Sequence, residues 1–472
     1  MMQIRKSHGG QAVLDPEVGG QLSLDGSILT PDSPEYDEAR GIWNAMIDRR
    51  PALILRCATP DDVVRAVRFA REHDLLLAVR GGGHNIAGSA VCDGGVVIDL
   101  SLMRGVRVDP AARTARVEAG ATLSDVDEAT QAHGLATPLG VNSTTGIAGL
   151  TLGGGFGWLS RSLGLTVDNL LSAEVILADG RRMRASPTEN RDLFWAIRGG
   201  GGNFGVVTSF EFRLHPVGPQ VLSGLVVHPM DAAGEVLRFY RDFLPGTPEQ
   251  FVCWFVLRKA PPLPFLPPEW HGREILALAM CWSGDLAEGE RVAAPIREFG
   301  SPIADVVAPH PYVEWQKVLD PLLTPGFRNY WKSHDFTQVS DELIDTLLEY
   351  AYRIPDPNCE IFLGQLGGAV SRVPPDATAY THREAEFVMN VHGRWQEATS
   401  DDACIDWARE VFRATSRLAT GGAYVNFLTQ DEGERVRAAY GANYERLVEL
   451  KNRYDPTNLF QTNQNISPTT SR

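Results

Sequence analysis

No run in the chain approaches the roughly 18 apolar residues that a membrane helix needs. The start, Met1-Met2-Gln3-Ile4-Arg5-Lys6-Ser7-His8, has no apolar core behind its positive charges, so it does not read as a secretory signal. Cysteine is scarce and scattered: Cys57, Cys92, Cys253, Cys281, Cys359 and Cys404 stand singly, without a C-x-x-C pair. That spacing argues against a zinc ribbon or a disulfide frame. It fits reduced thiols in a cytoplasmic protein with no metal site. Positive charge is in deficit, with 44 Lys and Arg against 59 Asp and Glu and a net charge of -15. Such a surface repels phosphate backbones, so neither nucleic acid nor a membrane is an expected partner. A Walker-type phosphate loop, an internal repeat and a low-complexity segment are also missing.

What the chain has is glycine, 46 residues among 472. The run Arg80-Gly81-Gly82-Gly83-His84-Asn85 strips side chains from a turn between two strand-like stretches, Leu75–Val79 and Val96–Leu100. Bare backbone N–H groups can approach an anion closely, and a pyrophosphate is the usual one for such a nest. His84 follows the last glycine directly, where a bound molecule must pass. Taken alone, the run is equally well a surface loop with an ordinary histidine. Two more glycine-rich stretches follow, from Gly140 to Gly157 and from Gly199 to Gly205. In the last of these, Gly200-x-Gly202-x-x-Gly205 matches the dinucleotide fingerprint by letter. The true fingerprint follows a strand and opens a helix; here a helical stretch precedes and a strand-like run follows, so the match is a decoy.

The order of elements predicts an α+β protein. A helix is expected from Pro34 to Ile47, and another opens at Thr59-Pro60-Asp61-Asp62 with a cap, an N1 proline and an acidic first turn. Val106–Asp109 and Thr114–Glu118 alternate as a hairpin, and strands are expected over 171–177 and 206–212. After Pro216-Val217-Gly218-Pro219 the glycine clusters thin out. Long alternating strands at 221–227, 251–257, 275–282, 360–366 and 386–392 then mix with helices at 232–243, 341–352 and 401–420. That pattern predicts a second domain with an antiparallel sheet backed by helices. A short strand over 423–427 and a helix over 433–452 close the chain.

Taken together, the R-G-G-G-H run at 80–84, the stretch from Gly146 to Asn169, Phe194–Arg198 with Asn203-Phe204-Gly205-Val206-Val207, Tyr424-x-Asn426 and Tyr454-Asp455-Pro456-x-Asn458-x-Phe460 resemble one family. It is the berberine-bridge-enzyme-like flavoprotein oxidases, with a PCMH-type FAD domain. The pattern is closest to the singly linked bacterial 6-hydroxynicotine oxidase type. Residues 1–33 read as a polar, irregular surface segment. The resemblance implies a PCMH-type FAD-binding domain over 34–217, a substrate domain over 218–420, and a segment over 421–472 returning to the FAD domain. It implies FAD held by Arg80, Gly81, Gly82, Gly83, His84, Asn85, Gly140, Thr144, Thr145, Gly146, Gly149, Gly154, Gly155, Gly157, Val207, Tyr424 and Asn426. His84 would bond covalently to the flavin. Many relatives add a second bond through a cysteine at the place of Asn142, so one bond is expected here. Thr145 matches a position whose size governs access of dioxygen.

The implied activity is removal of two electrons from a C–OH or C–N bond of a small molecule, with dioxygen as acceptor and hydrogen peroxide as product. The alternatives are a dehydrogenase with another acceptor or a flavin-binding protein without turnover. Tyr424 and Asn426, alternating on the expected strand, would face one side. Tyr424 is the candidate base or proton relay, against a packing role; it needs a cationic neighbour, for which Lys332 and His334 are candidates. For Asn426 a plain cofactor hydrogen bond is expected. Asn463 and Gln464 return to the cofactor or form a polar tail. His382, Asn390 and His392 are unassigned pocket candidates, and Trp315, Tyr330 and Trp331 are an aromatic wall or core. The protein is expected as a monomer or homodimer.

Overall fold

The computed structural model describes residues 2–14 and 22–469. Its first half is built on two sheets. One has four strands in the order Ser27–Leu29, Leu53–Arg56, Val96–Asp99 and Leu77–Arg80. The last three are parallel and Ser27–Leu29 is antiparallel to its neighbour. The helix Pro60–Glu72 joins two of them. Its signals act as the sequence suggests: Thr59 caps it by accepting from Asp62 N–H, and proline opens it. The other sheet is antiparallel, in the order Arg182–Ala185, Leu170–Ile176, Val206–Arg213, Thr114–Glu118 and Val106–Asp109.

The second half carries an eight-stranded antiparallel sheet. Its centre runs Gln220–Pro229, Glu274–Trp282, Phe251–Lys259, Glu360–Gln365, Phe387–Trp395 and Arg328–Phe336. Strand alternation sorts the two faces. Cys253, Phe255 and Leu257 pack into one core with the helices Ala233–Phe243, Asp341–Ala351 and Asp401–Thr415. Val252 and Trp254 turn to the other face and join a core that includes Phe156, Trp158 and Tyr424. That second core binds the sheet to the glycine-rich half.

Several expectations need correction. The helix expected over 34–47 spans only Tyr36–Arg40. Gly41 leaves the helix with extended backbone, and Asn44 is drawn into tertiary bonds to the carbonyls of Ile86 and Asn329. The N-terminal segment is not irregular: Met2–Arg5 pairs with Gln11–Leu14, and residues 15–21 lie outside the described ones. Residues 425–427 form a 3-10 turn rather than a strand, with Phe427 N–H donating to Tyr424 C=O. The helix expected over 433–452 is broken into Val436–Tyr440 and Tyr444–Tyr454 at Gly441.

The C-terminal stretch is stitched to the first half. Thr462 donates to Leu77 C=O at 2.6 Å, Asn203 Nδ2 to Gln464 C=O at 3.2 Å, and Ile466 N–H to Asn203 Oδ1 at 2.9 Å. A fully buried ion pair, Lys451 and Asp455 at 2.7 Å, anchors this region, and Lys451 also donates to the carbonyls of Asn203 and Phe460.

Candidate active site

A cavity of about 400 Å³ lies between the glycine-rich half and the large sheet. Nine glycines line it, at 81, 82, 83, 140, 146, 149, 201, 202 and 205. Two physical reasons account for four of them. Gly82 and Gly146 let two backbones cross. A Cβ on Gly82 would lie 2.6 Å from Gly146 Cα, and one on Gly146 would lie 2.7 Å from Gly82 Cα. Gly149 and Gly202 are different: a Cβ on either meets nothing within 4 Å, so it would project toward the cavity itself. A side-chain-free bed of this kind suits a long, flat molecule bearing phosphates.

His84 stands at the edge of that bed, its ring stacked on Trp43 with centroids 5.4 Å apart. Its side-chain hydrogen bonds favour one tautomer. Thr144 N–H donates to Asn142 Oδ1, so that atom is the amide oxygen. Thr144 gives its hydroxyl proton to the same oxygen at 2.7 Å, while Asn142 Nδ2 donates to Leu323 C=O. Thr144 Oγ1 is then left to accept from His84 Nε2–H at 3.0 Å. His84 Nδ1 keeps its lone pair, with Thr145 Oγ1 3.5 Å away. Burial, against the pull of a hydrogen bond to the Thr144 backbone and helped by the charge of Arg80, lowers the imidazole pKa to about 4. The ring is therefore neutral at physiological pH.

A model of an FAD binding domain matches residues 51–186, and one described as berberine and berberine like matches residues 423–467. An FAD-linked oxidoreductase of Dictyostelium discoideum is 32% identical, over 94% of this chain and 95% of its own. The chain belongs to the berberine-bridge-enzyme-like FAD-linked oxidoreductases. It is an FAD-dependent oxidase of small organic substrates. The (R)-6-hydroxynicotine oxidase of Paenarthrobacter nicotinovorans is 30% identical over 95% of this chain and 98% of its own. The fold agrees: the crystal structure of 6-hydroxy-D-nicotine oxidase from Arthrobacter nicotinovorans superposes with a TM-score of 0.85 at 28% identity. That match covers 94% of this chain and 98% of that one.

Within the oxidase, Gly81, Gly82, Gly83, His84, Asn85, Gly140, Thr145, Gly146, Gly149, Val207, Tyr424 and Asn426 line the cavity. Asn463 and Gln464 line it too. Arg80, Thr144, Gly154, Gly155 and Gly157 stand off the wall. Arg80 donates to Ala39 C=O, and Thr144 Oγ1 contacts His84 Nε2. The three glycines serve packing within the protein. A Cβ on Gly154 would meet the Tyr380 ring at 2.9 Å, one on Gly155 would run into Thr166, and one on Gly157 would run into Leu139 C=O.

Tyr424 differs from expectation in chemistry. Its hydroxyl oxygen accepts from Gly155 N–H and from Asn426 Nδ2, each at 3.0 Å. Burial pushes its pKa up to about 12, against the pull of those two donors. The phenol is protonated at neutral pH, and with its oxygen already accepting twice it is set to donate. Neither expected cation assists it. Lys332 is bound to Thr429 and Asp431, and His334 donates to Phe412 C=O. Asn426 also reaches the carbonyls of Gly149 and Leu150 at 3.3 Å. Of the unassigned residues, Trp331 and His392 line the cavity. His382 donates instead to the carbonyls of Ala438 and Ala439.

The sequence reading missed Trp43, Arg258 and Glu360, and set aside Gly201, Gly202 and Gly205, all on the cavity wall. The fingerprint is indeed a decoy, since the helix Arg191–Ala196 precedes it and the strand Val206–Arg213 follows. The glycines count all the same, because the turn they form is part of the bed.

Proposed function

We propose that this oxidase holds FAD along the glycine bed through one covalent bond, from His84 Nδ1 to the flavin 8α-methyl carbon. It removes two electrons from a C–OH or C–N bond of a small molecule. Dioxygen is the acceptor and hydrogen peroxide the product. Bound FAD supplies the two-electron acceptor at the reacting carbon. The chain's own residues do the rest. Gly149 and Gly202 leave room for the cofactor, and Gly81–Gly83 offer it bare backbone N–H groups. The Asn142–Thr144 relay holds the His84 lone pair free, Thr145 leaves an opening for dioxygen, and Tyr424 offers a hydroxyl proton to whatever lies beside it. No cysteine stands at Asn142, so a second bond has no nucleophile. The six cysteines, all buried and free, support a reducing compartment, and we place the protein in the cytoplasm.

The observation that carries this reading is the favoured tautomer of His84 at the edge of a side-chain-free bed. Acid denaturation of the purified yellow protein tests it. The colour is expected to stay with the polypeptide, and to be released from His84→Ala. Colour released from the wild type would refute the covalent bond, and a colourless protein that takes up no FAD would refute the whole reading.

A further inference from the structure

The sheet side of the cavity carries a group that the flavin bed does not explain. Arg258, Glu360 and His392 are register partners in a row across three neighbouring strands. Arg258 Nη1 donates to Glu360 Oε2 at 2.7 Å, and Glu360 Oε1 lies 2.9 Å from His392 Nδ1. All three side chains are only 11–12% exposed, and all three line the cavity. A carboxylate only accepts, so Nδ1 carries the proton and Nε2 keeps a lone pair. No protein group among the described residues bonds Nε2. Burial would raise the Glu360 carboxyl, but Arg258 and His392, with Arg394 beyond them, hold it down to about 2. Its negative charge is therefore permanent.

Around His392 the rings close on themselves. Trp331, Phe427, Phe156, Trp254, Phe362 and His392 form a circuit, each ring centroid 4.5–6.1 Å from the next. All six line the cavity, and His392 alone among them can take a proton. A charge ladder that merely stapled the strands would have no reason to leave its one basic nitrogen free inside a cage of rings.

Building on the flavin-oxidase reading, we propose that His392 is the catalytic base and Glu360 the residue that positions it. The substrate is a flat aromatic or similarly apolar ring bearing an O–H or N–H next to the carbon oxidised. In the step, that O–H or N–H bond breaks and its proton passes to His392 Nε2. The electron pair left behind closes a C=O or C=N bond. The carbon's hydrogen leaves with its own electron pair, which is the two-electron oxidation already assigned to the cofactor. Glu360 balances the imidazolium formed.

The test uses the yellow holoenzyme and 4-nitrophenol, a flat ring whose ionisation is visible in its own absorbance. Wild type is expected to bind it and to lower its apparent pKa by about 1–3 units, because the proton moves to His392 beside a fixed carboxylate. His392→Phe keeps a ring in the circuit and is expected to bind 4-nitrophenol without that shift. Glu360→Gln is expected to lose most of the shift while keeping the flavin. Failure of yellow wild type to bind 4-nitrophenol, or an unchanged shift in His392→Phe, overturns the proposal. A preparation that never becomes yellow refutes instead the flavin reading beneath it.

Discussion

Thr144 Oγ1 sits 3.0 Å from His84 Nε2 and can only accept there, because its own proton goes to Asn142 Oδ1 at 2.7 Å. A single hydroxyl thus decides which ring nitrogen keeps its lone pair. Thr144→Val removes that preference, a change of about 1 kcal/mol or about 5-fold. Apoprotein incubated with FAD is expected to gain acid-stable flavin about 5-fold more slowly in Thr144→Val than in wild type, while Thr144→Ser keeps the normal rate. Flavin fluorescence of the denatured band measures this directly. Asn142→Ala is expected to keep acid-stable flavin.

The two kinds of bed glycine separate by experiment. Gly82→Ala or Gly146→Ala drives a methyl group into the crossing backbone and is expected to cost at least about 1–3 kcal/mol in stability. Gly149 lies within the helix Ile147–Leu152. There alanine improves helix propensity by about 0.5–1 kcal/mol but fills cavity space. Gly149→Ala is expected to melt no lower than wild type as apoprotein, yet to bind FAD more weakly. Melting curves with and without FAD distinguish the two.

Tyr424→Phe leaves the Gly155 N–H, buried and pointing at the lost oxygen, without its partner. That costs about 1–3 kcal/mol. Turnover is expected to fall as well, because the proton offered to the cavity is gone. Thermal unfolding and peroxide release with any working substrate report the two effects separately.

Stability should also depend on pH through His334. It is buried, stacked on Phe412 with centroids 4.1 Å apart, and its Nε2 donates to Phe412 C=O while Nδ1 has no partner. Burial lowers its pKa from 6.5 to about 4. Between those values the unfolded chain holds more of the proton. Its contribution is therefore flat above about pH 6.5 and falls by about 3 kcal/mol as pH drops to about 4. Neighbouring Asp335, raised to about 6 by burial, works in the opposite sense and is common to both proteins in the comparison. The stability difference between wild type and His334→Gln should shrink through that window. Denaturant titrations from pH 7 to pH 4 measure it.

Local signals carried much of the architecture. Thr59-Pro60-Asp61-Asp62 names its own helix, and the alternation in Phe251–Lys259 names both faces of its strand. Three kinds of feature were not legible. The Arg328–Phe336 strand was missed because Lys332, His334 and Asp335 are buried on it and blur its alternation. Tyr424-x-Asn426 reads as a strand by spacing, but a local hydrogen bond turns it. The Arg258–Glu360–His392 row joins residues 102 and 32 positions apart, and only the strand order puts them side by side. Within the glycine bed, sequence shows that side chains are absent but not whether the space serves a ligand or a crossing backbone. Gly82 and Gly149 look alike as letters and differ only in what stands opposite.

The bond from Thr462 to Leu77 spans 385 residues. During synthesis the glycine turn leaves the ribosome long before the strand of chain that finishes its enclosure. The enclosure of the glycine bed is thus completed late in the making of the molecule, and an internal break that frees the region around Phe460–Gln464 would open it while leaving His84 and its relay untouched.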